Sequence, residues 1–114
     1  MSPTTYLGEF EQLVLLSVLR AGHDGQAASG AAIARELEEQ AGRRVSRGAL
    51  YTTLDRLEGK GLLRWKIATG GPERGSLPRR AYTVSARGME AVRNAQRTLQ
   101  RMWQGLEPLL KERS

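Results

Sequence analysis

The hydrophobic period of this chain switches from helical to alternating at Leu63, and that change restricts the fold more than any other feature. Before it, three helix-length segments carry apolar residues at helical spacing. The first runs from about Gly8 to Arg20, with Phe10, Leu13, Val14, Leu16, Ser17 and Leu19 spread over much of its circumference, which predicts a central, largely buried helix. The segment Ala21-Gly22-His23-Asp24-Gly25-Gln26 ends it. Ser29 can cap a second helix with Ile33, Ala34 and Leu37 facing inward, and Gly42 is placed to stop it. Ser46 can cap a third, in which Leu50, Leu54 and Leu57 form one apolar stripe and Gly59-Lys60-Gly61 closes the helix.

From Leu63 the pattern alternates. Leu63-Arg64-Trp65-Lys66-Ile67 reads as a half-buried strand, residues 69–78 as a loop with three glycines and two prolines, and Arg79 to Val84 as the returning strand. Ser85 can cap a last helix, from about Ala86 to Glu107, whose end Gly105 and Pro108 weaken. Three helices followed directly by a hairpin describe a winged helix-turn-helix. The expected fold is mostly α with a small β-hairpin. Residues 1–85 form the winged unit, and 86–114 a C-terminal dimerisation helix and tail.

Charge is distributed as unevenly as hydrophobicity. Between Arg43 and Tyr82 lie ten basic and three acidic residues, a net of +7, while the rest of the chain sums to −1. A basic excess confined to one segment is the footprint of an element that meets a polyanion, or else a solvated basic surface. The third helix favours the first reading. Its outer face carries Tyr51, Thr52 and Gly48, which a helix facing only water rarely collects. Helices of this kind enter the major groove of duplex DNA by their N-terminal ends. Arg47 is placed for guanine or phosphate, Ser46, Tyr51 and Thr52 for bases or phosphates, and Gly48 for close backbone approach. Arg56 lies on the same outer surface. Arg74, Arg79 and Arg80, at the tip and return of the hairpin, are expected to follow the flanking backbone or minor groove.

In the last helix Val92, Ala95, Leu99, Met102, Leu106 and Leu109 recur at spacings 3, 4, 3, 4, 3. That seam follows a complete winged unit and asks for a second copy of the same helix as its cover, so a homodimer is expected. Trp103 sits beside the seam. It is read first as packing, with stacking on a small, planar hydrophobic effector as the alternative.

Other chemistry lacks its parts. The chain has no cysteine, which removes disulfides and thiolate metal sites, and its one histidine, His23, stands alone in a glycine loop. No Ser-His-Asp set, paired-carboxylate pocket or phosphate loop is present, so neither an enzyme nor a cofactor is expected. No apolar run approaches the ~20 residues of a membrane span, and the N-terminus lacks the form of a signal peptide, so no membrane partner and a cytoplasmic location are expected.

Two stretches go further than composition. Leu7-Gly8-Glu9-Phe10-Glu11-Gln12-Leu13-Val14-Leu15-Leu16 and Gly48-Ala49-Leu50-Tyr51-Thr52-Thr53-Leu54-Asp55-Arg56-Leu57-Glu58-Gly59-Lys60-Gly61-Leu62 resemble the PadR family of bacterial transcriptional regulators. Pro78-Arg79-Arg80 with Tyr82 and Thr83 resembles that family's second wing strand. Where members often start the second helix with a Tyr-Gly-Tyr-type sequence, this chain has Ser29-Gly30-Ala31-Ala32-Ile33. The resemblance implies a winged helix-turn-helix, a dimer through a single short C-terminal helix, and usually repression. The expected function is a sequence-specific DNA-binding regulator acting on an inverted-repeat operator. The alternative is a winged module that docks an acidic protein partner.

Overall fold

A computed structural model describes residues 6–22, 27–68 and 79–111. The elements are α1 (Glu9–Ala21), β1 (Ala28–Ser29), α2 (Gly30–Ala41), α3 (Arg47–Gly59), β2 (Leu63–Ala68), β3 (Arg79–Val84), α4 (Ala86–Trp103) and α5 (Glu107–Lys111). The predicted caps form. The hydroxyls of Ser29, Ser46 and Ser85 accept from the N–H groups of Ala32, Ala49 and Gly88 at 3.1, 3.1 and 3.0 Å. Gly42 ends α2 in the left-handed conformation, at φ 66°. His23 and Arg74 lie outside the described residues.

α1 is the central helix, packed against α2, α3, β3 and α4. Val14, Leu15 and Val18 from α1 meet Ile33 and Leu37 of α2, Leu50, Leu54 and Leu57 of α3, and Tyr82 of β3, all buried. Its burial is narrower than the sequence suggests: Ser17 faces inward while Leu16 is exposed. Glu11 is also buried. Its Oε1 accepts from the Gly8 N–H at 3.0 Å, closing the first turn of α1, and its Oε2 takes Lys60 Nζ at 2.9 Å with Arg56 Nη1 at 3.9 Å. One carboxylate thus caps α1 and holds the end of α3 against it. Burial alone would raise its pKa, but the Lys60 and Gly8 hydrogen bonds and the two positive charges outweigh that and leave it lowered.

The sheet is antiparallel with order β1-β3-β2, so β3 is central. β1 was not visible in the sequence. Its two residues, Ala28 and Ser29, pair with Tyr82 and Ala81. β2 departs from its alternating pattern: only Leu63 is buried, while Trp65 and Ile67 on the same face are 38% and 47% exposed. The strand has the predicted period, but as an edge strand it is covered by the helices only at its first residue.

α4 differs twice from expectation. It begins in contact with its own domain. Gly88 lies so close to the α3–β2 turn that a Cβ there would overlap the Leu62 carbonyl oxygen and sit 2.7 Å from Val84 Cγ1. Ala91 joins the core, and Val92 packs against it. The helix also stops at Trp103, short of the predicted Glu107, because Gln104 turns extended (ψ 124°) and Gly105 adopts φ 85°. Pro108 has no N–H to offer the Gln104 carbonyl, and its ring would crowd it, so the chain leaves the helix and restarts as α5.

Two outcomes check this packing. Gly88→Ala should cost about 1–3 kcal/mol in urea unfolding, since the clash is with backbone and cannot be relieved by a rotamer. Glu11 has a folded pKa below its ordinary 4.5, so its contribution is present above that value and lost as pH falls through the folded one. Glu11→Gln should therefore be less stable at neutral pH, and the gap between the two proteins should close on acidification below 4.5.

Candidate nucleic-acid interface

The Ser46 cap fixes where α3 begins, and that leaves Arg47, Gly48 and Thr52 exposed on one side while Leu50, Thr53 and Leu54 enter the core. Arg47 projects over the Tyr51 ring, its guanidinium carbon 5.8 Å from the ring centroid. Tyr51 is less available than its place on the outer face suggests. It is half-buried, packs against the core, and leans over the start of α2 so closely that a Cβ at Gly30 would overlap its hydroxyl. The small residue at Gly30 is what lets α3 approach α2 here, a role that only the packing reveals.

A groove of about 840 Å³ runs between the N-terminal ends of α2 and α3 and the start of β3. Ser29, Arg47, Tyr51, Arg79 and Arg80 border it, above an apolar floor that includes Leu50. The structure therefore brings Arg47 and Tyr51 of α3 together with Arg79 and Arg80 of β3, as the sequence reading requires. β1 is the reason: its pairing with β3 lays the start of α2 beside the wing.

The basic residues of the segment sort into two groups. Arg43 pairs with Glu9, Arg44 with Glu38 at 3.3 Å, Lys60 and more distantly Arg56 with Glu11, and Arg80 Nη1 with Asp55 Oδ1 at 3.0 Å. Among the described residues Arg47, Arg64, Lys66 and Arg79 have no such partner, and all four are exposed. Arg56 is thus drawn toward Glu11 at the base of α3. Arg80 is doubly engaged, because its guanidinium also lies over the Trp65 ring, 4.3 Å from the centroid. Beneath it the Tyr82 hydroxyl is buried without a hydrogen-bond partner among the described residues. Burial raises that phenol above its ordinary value, and the nearby Arg80 charge offsets only part of the rise.

The second predicted surface is apolar. Val92 is turned toward its own core and Ala95 is half-buried, whereas Leu99 is 49% and Met102 68% exposed, with Trp103, Leu106 and Leu109 exposed beside them. The seam therefore divides into a start that packs in cis and a C-terminal portion uncovered in the single chain. Among the described residues no cluster of three or more His, Asp or Glu side chains could hold a metal, and no helix is long and apolar enough to cross a membrane.

Residues 15–94 match the model of the transcriptional regulator PadR-like family. Among solved structures, the chain is similar to a PadR family transcriptional regulator from Eggerthella lenta, with 25% identity over 92% of this chain and 88% of that one and a TM-score of 0.65. It is similar in fold to a PadR-like transcription factor from Bacteroides fragilis (20% identity, 88% of each chain, TM-score 0.70). The same holds for Bacillus subtilis PadR in complex with operator DNA (18% identity, 77% of this chain and 46% of that one, TM-score 0.62). No curated protein sequence matches the chain. The family match spans α2, α3, both wing strands and the part of α4 that packs on them, and on it the chain belongs to the PadR-like family of transcriptional regulators.

Proposed function

We propose that this protein is a sequence-specific, DNA-binding transcriptional regulator that represses by occupying an inverted-repeat operator as a homodimer. The observation that carries the reading is the capped, exposed start of α3. Arg47 there has no acidic partner among the described residues, and Arg79 borders the same groove. A helix N-terminus and an adjacent basic strand are the two parts a winged helix sets against a major groove and its flanking backbone. The operator complex of the Bacillus subtilis relative supports DNA as the partner. The exposed Leu99, Met102 and Leu106 support a second copy as the other partner. Trp103, exposed beside them, is the residue on which a small planar hydrophobic effector would stack at the dimer axis. Such an effector acts only if it binds the free and DNA-bound states unequally. The site is cytoplasmic in this reading, as access to DNA requires.

Selection of bound fragments from random duplexes should return an inverted repeat with half-site centres about 34–36 Å apart. On that duplex Arg47→Ala should lose about 1–3 kcal/mol if it reads a base. Arg79→Ala should weaken specific and scrambled duplexes alike and flatten the salt dependence by about one phosphate contact. Binding only to an acidic protein, with no duplex recovered, would replace this reading with that of a docking module.

The dimer has its own test. Leu99→Asp places a carboxylate in the apolar patch, and by symmetry against its own copy, so it should yield monomers at micromolar concentration in sedimentation equilibrium. It should also lose most operator affinity in a gel shift. A variant that remains a tight dimer would place the interface elsewhere.

A further inference from the structure

The segment that should face a polyanion contains an acid where none is expected. Asp55 lies on the exposed side of α3, four residues beyond Tyr51, and a carboxylate there repels phosphates. Its carboxylate takes Arg80 Nη1 at 3.0 Å. The same guanidinium covers Trp65, 4.3 Å from the ring centroid. The strand register explains how one side chain does both: Trp65 pairs with Tyr82 and Ile67 with Arg80, so Arg80 and Trp65 are diagonal neighbours on one face of the hairpin, the face that turns toward α3.

We propose that Arg80 is a positioning residue and not a phosphate ligand: with Asp55 and Trp65 it forms a clamp that fixes the wing strands against α3. The inference rests on the DNA-binding reading above. Asp55 and Arg80 together carry no net charge, so the pair adds little to the attraction of a duplex. What it adds is a link between an element placed for the major groove and one placed for the flanking backbone. Trp65 also gains a role. The helices leave it exposed at the open end of an edge strand, and the flat guanidinium is what covers its face. Arg79, one residue earlier, points to the other side of β3, unpaired among the described residues, and with Arg64 and Lys66 on that face it is left for phosphate.

The two roles differ in sign. If Arg80 contacts phosphate, removing the Asp55 charge frees the guanidinium and lessens repulsion, so Asp55→Asn should bind DNA more tightly. If Arg80 positions the wing, Asp55→Asn should bind more weakly although a negative charge has gone. The experiment measures fluorescence anisotropy of the full-length protein on its selected duplex over a range of salt, for Asp55→Asn, Arg80→Gln, Arg80→Lys and the double variant Asp55→Asn/Arg80→Gln. Each single change should weaken binding about three- to tenfold, the size that one exposed ion pair and one cation–π contact supply. The slope of log affinity against log salt should not change, and the double variant should be no weaker than the worse single one. Arg80→Lys keeps the charge but loses the planar fork, so it should fall with the others.

A second arm needs no DNA. In a Trp103→Phe background Trp65 is the sole tryptophan. Arg80→Gln should there increase its quenching by acrylamide. A salt slope flattened by about 0.9 in Arg80→Gln, the loss of one phosphate contact, would overturn the proposal. Tighter binding by Asp55→Asn, or unchanged Trp65 quenching, would overturn it equally. Failure of the wild-type protein to bind any duplex would remove the regulator reading and the clamp's part in it, while the quenching arm would still decide whether the clamp forms.

Discussion

The wing and the C-terminal helix leave the core from one contact, the seat of α4 on the α3–β2 turn. The Ser85 hydroxyl donates to the Gly61 carbonyl at 2.6 Å and accepts the Gly88 N–H, while the Ser85 N–H donates to the Leu62 carbonyl at 3.0 Å. Gly61 makes the turn at φ 79°, and the missing Cβ of Gly88 admits the Leu62 carbonyl. Four residues thus set where β2 departs, where β3 returns and in what direction α4 leaves. The exposed end of α4 and the start of α3 stand in a fixed relation because both are built from this point. In the proposed dimer, the separation of the two helices offered to DNA would be decided here as much as in the interface.

The sequence showed its longer helices and the two wing strands clearly because each carries a period, and α2, α3 and α4 each a serine cap, that a single chain can display. Ser29, Ser46 and Ser85 all cap as their positions suggest. What stayed hidden depends on neighbours. β1 is two residues long, too short for any period, and exists only because β3 is beside it. Trp65 and Ile67 alternate as a buried face should, and periodicity does not say that the helices end before reaching them. The seam of α4 is regular through Val92, yet Val92 packs in cis, since the same spacing serves a partner helix or the chain's own core. The break at Gln104 was visible in Pro108 and Gly105, though its consequence, a separate α5, was not.

The candidate site was legible as a region and less so as a set of roles. Counting charge between Arg43 and Tyr82 points to one region of the chain but treats every cation alike. Pairing separates them. Arg43 and Lys60 hold acids of α1, tying the ends of α2 and α3 to it, and Arg44 folds back on Glu38 of α2. Tyr51 is half-buried against the core, with its hydroxyl close over Gly30 at the start of α2. The partners of Arg43, Lys60 and Tyr51 lie far away in the chain, which is why spacing alone could not assign them.

The short bridge of β1 to β3 has a mechanical result. It pairs the entrance of α2 with the central wing strand, so that strand is tied to the helical core through α2 as well as through its own packing. On the DNA-binding reading proposed above, the more firmly this bridge holds the gap between α3 and the wing, the more of any bending or groove narrowing would fall to the duplex. Stiff and pliant steps in DNA differ in the cost of that deformation by sequence. Base pairs that no side chain touches thereby enter the choice of site, read through their flexibility.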